Sequence, residues 1–185
     1  MTTQPGVRRP QRADARRNFD ALIAAARDAF AEHGTTASLE DIARRAGVGI
    51  GTLYRNFPTR QDLFDAVYLG ELDALCRAAD DVAGLDPWDA LAAWLRRFVG
   101  YVATKRAIYE EINRDSEMVR GAREAMYAAF EPLLARAQDA GAARRDVSTD
   151  DLLRLVSGLT AGGYVDDAQR ERVLTVALDG VRARS

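Results

Sequence analysis

The 185-residue chain holds a single cysteine, Cys76, and a single histidine, His33. One cysteine excludes an intramolecular disulfide and fits a reducing, cytoplasmic setting. One Cys with one His also excludes a structural zinc site built from four such ligands, and no metal or other cofactor is expected. Long apolar runs are missing: nothing approaches the roughly 20 residues that a membrane helix needs, so no membrane partner is expected. The basic N-terminus is followed by no apolar stretch that would make a secretion signal. Strand-like alternation with a period of two is missing as well. With no sheet to build and 48% of residues hydrophobic, the expectation is an all-α protein of about nine helices.

The net charge of −2 conceals an asymmetry. Residues 1–60 hold 10 Arg against 6 Asp plus Glu, whereas the rest holds 16 Lys plus Arg against 22 Asp plus Glu. A basic first third fits a segment that meets a polyanion, and equally a chance imbalance. Residues 1–17 contain Pro5, Gly6, Pro10 and five arginines but almost nothing apolar. They read as a flexible basic arm, able to lie along DNA or to stay a disordered tail.

From there the pattern is helical. Phe19, Leu22, Ile23, Ala26, Ala29 and Phe30 make one apolar face, and His33-Gly34 ends it. Ser38 is an N-cap, with Glu40 and Asp41 in the first turn behind it. Leu39, Ile42, Ala43 and Ala46 face inward on a two-turn helix that stops at Gly47. A second short helix, about 49–57, ends before Pro58. Thr59 caps a long helix from Gln61 to about Ala83. Further helices follow over 86–106, around AIYEEIN, over about 116–140, from Ser148 or Thr149, and over 167–184.

The stretch EDIARRAGVGIGTLYRNF, residues 40–57, carries the functional question. Its glycines could cradle a phosphate or form the turn between two DNA-gripping helices. A phosphate-binding glycine loop follows a strand and opens a helix. Here a helix precedes the glycines, and Thr52-Leu53-Tyr54 stands where a phosphate-binding lysine would be needed. Nucleotide binding therefore fails on context. A helix-turn-helix meets the pattern: two short helices, a tight turn at Gly47, and Ala43 small enough for the helices to cross. The second helix offers Ile50, Gly51, Thr52, Arg55 and Asn56 outward. Gly49 and Gly51 at its start permit close approach to base edges.

Residues 19–67, FDALIAAARDAFAEHGTTASLEDIARRAGVGIGTLYRNFPTRQDLFDAV, resemble the DNA-binding domain of the TetR family of bacterial transcriptional regulators. The order of parts matches, from the apolar first helix through AGV and TLYRNF to a long helix opening with an acid and Leu-Phe. The resemblance implies a three-helix DNA-binding domain over 18–60 and a helical ligand-binding and dimerisation domain over 61–185. It implies phosphate contacts from Ser38, Thr52, Tyr54 and Arg60, and base reading by Ile50, Gly51, Arg55 and Arg44 of double-stranded DNA. Tyr54 could instead be core, and Arg44 and Arg45 a solvated face. The family's body binds a small molecule and forms a homodimer. Trp94, Phe98, Tyr101, Tyr109, Met118, Met126 and Phe130 are candidates to line a cavity for an apolar or amphipathic ligand, or else plain core. Leu155, Leu159, Leu174, Ala177 and Leu178, with Ala161 and Gly162, are candidates for the dimer interface.

The implied function is a dimeric repressor released from a palindromic operator by a small molecule. The alternative is the same DNA-binding fold without an inducer, controlled by a protein partner or acting as an activator. An enzyme is not expected. Cys76 has no histidine near it in sequence, and Glu110, Glu111 and Asp115 read as a solvated surface.

Overall fold

The computed structural model describes residues 10–108, 111, 116–160 and 162–183, the side chain of Met118 excepted. Among them are eight α-helices: α1 (Ala13–His33), α2 (Leu39–Arg45), α3 (Ile50–Asn56), α4 (Arg60–Asp81), α5 (Pro87–Ala107), α6 (Glu117–Asp139), α7 (Thr149–Leu159) and α8 (Asp167–Val181). A 3-10 turn, Gly34–Thr36, joins α1 to the chain before α2. No strand occurs among the described residues, and one isolated antiparallel bridge pairs Ala143 with Arg182. The all-α expectation holds. The short helix expected around AIYEEIN falls mostly outside the described residues.

The caps are local chemistry. Ser38 Oγ accepts from the amide of Asp41 at 3.2 Å. Thr59 and Asp62 exchange bonds at the head of α4: the Thr59 amide donates to the Asp62 carboxylate at 2.9 Å, and the Asp62 amide to Thr59 Oγ1 at 3.1 Å. Ser148 and Asp151 do the same for α7. One start differs from expectation. α1 begins at Ala13, inside the segment read as an arm, because Asp14 sits in its first turn and pairs with Arg17. That turn has no apolar face to reveal it.

The described chain forms two compact units, Met1–Glu71 with Thr104–Ser116, and Leu72–Ala103 with Glu117–Ser185. The sequence suggests a division after residue 60, at the head of α4. The first unit also takes in α4 as far as Glu71, because Leu63, Phe64, Val67 and Tyr68 are buried there. Phe64 packs against Phe30 with ring centroids 4.6 Å apart, and Phe19 against Phe57 at 5.0 Å. Ile42, Ala43 and Leu53 complete this small core. Leu39 and Ala46, expected inside, are only half-buried.

The turn between α2 and α3 is fixed by Gly47, whose φ is +69°. Its amide donates to the Arg44 carbonyl at 3.1 Å, and the Val48 amide to the Ala43 carbonyl at 3.0 Å. This pair of bonds closes α2 with a left-handed residue. Gly47→Ala is expected to destabilise the protein by about 1–2 kcal/mol, the left-handed penalty for a β-carbon, as read by urea unfolding. No atom lies within 4 Å of where that β-carbon would sit, so the cost is conformational rather than steric.

Candidate nucleic-acid interface

α3 buries one side and leaves the other bare. Leu53 and, just beyond the helix, Phe57 are buried, while Ile50 is 37% and Tyr54 47% exposed. Gly49 is the N-cap, and a β-carbon at Gly49 or Gly51 would meet nothing within 4 Å. Glycine at Gly51 therefore serves no packing need within the chain, and it costs helix stability. An outward Ile and Tyr beside outward glycines make a bare, low surface. The polar groups on α3 are ordered. Arg55 Nη2 donates to Thr52 Oγ1 at 3.0 Å, and Asn56 Nδ2 donates to the Thr52 carbonyl at 2.8 Å. Arg55 is exposed, while Thr52 and Asn56 are half-buried.

α2 is locked in place by Arg45. Its guanidinium forks onto Glu32 of α1 at 2.9 and 2.8 Å, and its Nε donates to Asp41 at 2.6 Å. Arg45 thus ties α2 to α1. Arg44, one residue earlier, pairs with Asp41 while its side chain stays largely exposed. The hydrogen bonds from Arg45 hold the Glu32 and Asp41 carboxyls below their ordinary values of 4.5 and 3.8. The fork to Glu32, then the bond to Asp41, pushes the guanidinium up. A depressed carboxyl contributes stability above its ordinary value and loses it as pH falls through the depressed one. Between pH 6 and pH 3 the unsubstituted protein is expected to lose more stability than Arg45→Met, as measured by urea unfolding at each pH. Equal losses would contradict this.

Ser38 is exposed at the head of α2 and also donates to Glu40 at 2.9 Å. Arg60, expected at phosphate, is half-buried and turned inward onto backbone carbonyls. Sequence reasoning had no signal for this, since the acceptors lie 23 and 25 residues away.

In the second unit, Trp94, Phe98, Tyr101, Met126 and Phe130 are all buried. Trp94 stacks on Phe130 with centroids 4.4 Å apart and on Phe98 at 5.6 Å, and Phe98 meets Tyr101 at 5.5 Å. The Trp94 indole donates to the Leu75 carbonyl at 2.9 Å. These rings fill space with one another. Tyr109 and the Met118 side chain lie outside the described residues. An open surface pocket of about 400 Å³ lies elsewhere in this unit, lined by Gln138, Gly141, Arg144 and Arg145 among others.

The interface candidates divide. Leu155 is 40% exposed, and Leu159 and Ala177 are half-buried. Leu174 and Leu178 are buried within the protomer, so neither supplies an outward face. Together with Val181 they form the stripe that seats α8 on its own unit, and a stripe does not say which partner covers it. Val176 and Val165, 72% and 89% exposed, are outward apolar residues that fall off this stripe. Gly162 is exposed, and Ala161 lies outside the described residues.

No group of three or more His, Cys, Asp or Glu could hold a metal ion among the described residues. No described helix is long and apolar enough to cross a membrane. Partial burial, with Asp73 adding, pushes the Cys76 thiol up, away from a nucleophilic thiolate.

Residues 22–67 match the family described as bacterial regulatory proteins, tetR family. Residues 86–183 match the C-terminal domain described as transcriptional regulator SbtR-like. A TetR transcriptional regulator of known structure from Streptomyces coelicolor is 38% identical, with a TM-score of 0.79 over 90% of this chain and 99% of that one. A TetR transcription regulatory protein from Mycobacterium vanbaalenii is 34% identical, with a TM-score of 0.73 over 94% of this chain and 100% of that one. With its helix-turn-helix at Leu39–Asn56 and these matches along its length, the chain belongs to the TetR family of DNA-binding transcriptional regulators.

Proposed function

We propose that the protein represses transcription as a homodimer on an inverted-repeat operator, with α3 entering the major groove. The observation that carries this is the outward face of α3, where Ile50 and Tyr54 are exposed and a β-carbon at Gly49 or Gly51 would meet nothing within 4 Å. Ile50 suits a thymine methyl and Arg55 or Arg44 suits guanine. Thr52, Tyr54 and Ser38 carry hydroxyls that suit phosphate. Leu155, Leu159 and Ala177, with Val176, offer the apolar face for a second copy, and two-fold symmetry then matches two half-sites. Sedimentation of the protein with a selected duplex tests this: two protomers per inverted repeat are expected, and one protomer per duplex would contradict it.

For control, a small apolar or amphipathic ligand in the second unit would act by moving α4, with a coupling of about 1–3 kcal/mol typical of linked sites. A second reading is favoured by one observation. Trp94, Phe98 and Phe130 stack on one another, so an inducer at that cluster must first part three rings. Control by a protein partner, or action as an activator, needs no such opening.

A further inference from the structure

We propose that Arg60 is a positioning residue that sets α2 and α3 for sequence reading, rather than a phosphate contact. Its Nη2 donates to two carbonyls, Thr35 and Ala37, each at 2.5 Å. Its guanidinium carbon lies over the Phe64 ring, 5.4 Å from the centroid. Arg60 is the first residue of α4, and the two carbonyls belong to the short connection between α1 and α2. That connection is otherwise pinned lightly, by the Ala37 amide to the Gly34 carbonyl at 3.4 Å and Thr36 Oγ1 to the His33 carbonyl at 2.8 Å. It leads straight into Ser38, whose side chain caps α2. One guanidinium therefore ties the head of α4 to the head of α2. α3 follows α2 through the bonded turn at Gly47, so the tie fixes the frame that aims α3.

Arginine is specifically suited to this. Both Nη2 protons are used by the two carbonyls, and the planar face covers an aromatic ring. A lysine ammonium ends one bond short of Nη2 and has no planar face. A glutamine is shorter still and uncharged.

The inference rests on α3 being the base-reading helix, and the unsubstituted protein tests that first: it must bind a duplex selected from random sequence more tightly than a scrambled duplex of equal length. Arg60→Gln and Arg60→Lys are then measured on both duplexes across a range of salt. For Arg60→Gln, affinity for the selected duplex is expected to fall about tenfold, with the scrambled duplex unaffected and the salt slope unchanged. Arg60→Lys is expected to fall in the same direction. A phosphate contact would behave otherwise: Arg60→Gln would weaken both duplexes alike and lower the salt slope by about 1, and Arg60→Lys would bind like the unsubstituted protein. Either result overturns the proposal. Should a variant fail to fold, nitrogen-15 spectra of the Arg60 guanidinium in the unsubstituted protein decide. Signals unchanged on adding the selected duplex are expected, and a large shift on binding would overturn the proposal.

Discussion

Gly51→Leu is expected to make the unbound protein slightly more stable and its complex with operator DNA 10- to 100-fold weaker. Leucine is a better helix former than glycine by a fraction of a kcal/mol up to about 1 kcal/mol, and its β-carbon meets nothing in the chain. The folded protein therefore has no steric reason to object. In the proposed function the outward side of α3 is where base edges come close, and a branched side chain there would hold the helix away. Losing well-fitted base contacts costs about 1–3 kcal/mol, a range that brackets the stated loss in affinity. The opposite signs are the diagnostic. A substitution that merely damaged the fold would lower both quantities. Urea unfolding and titration of a selected duplex at one stated salt measure the two, and an affinity within twofold of the unsubstituted protein would remove Gly51 from the interface.

Trp94→Ala is expected to destabilise the protein by about 3–5 kcal/mol, the range for removing a large aromatic from a packed core. The indole is buried, stacks on Phe98 and Phe130, and donates its N–H to the Leu75 carbonyl. Truncation leaves a void and removes the indole's bond to the Leu75 carbonyl. Against a typical total of 5–15 kcal/mol, such a loss leaves a marginal fold. Urea unfolding reads it directly. The size also separates the two readings of this cluster. A loss below about 1.5 kcal/mol would mean that the indole lines a space rather than fills one, and would return the cluster to the role of a ligand pocket.

Much of the first unit was legible because its signals are local. Ser38 caps α2 three residues from its partner amide, and Gly47 must be glycine where the chain turns left-handed. Leu53 and Phe57 fall on one side of α3 by spacing alone; the exposure of Ile50, which by spacing shares that side, and of Tyr54, which could have been core, is seen only in the structure. What was not legible depends on partners distant in sequence. Arg45 reads as a surface arginine until Glu32 of α1 is brought against it. Arg60 is expected at phosphate, and its bonds to the carbonyls of Thr35 and Ala37 could not be read from spacing. In the second unit, Leu174 and Leu178 sit on an apolar stripe that could face its own core or a second copy, and periodicity cannot choose. Ala13 begins α1 without an apolar face, so only the Asp14–Arg17 pair marks the turn.

The central claim is that α3 reads a symmetric sequence. The direct test is to select randomised duplexes on the purified protein at one stated salt near physiological, since phosphate binding varies steeply with salt. An enriched inverted repeat is expected, with half-sites about one or more helical turns apart. Binding without any enriched sequence would contradict it.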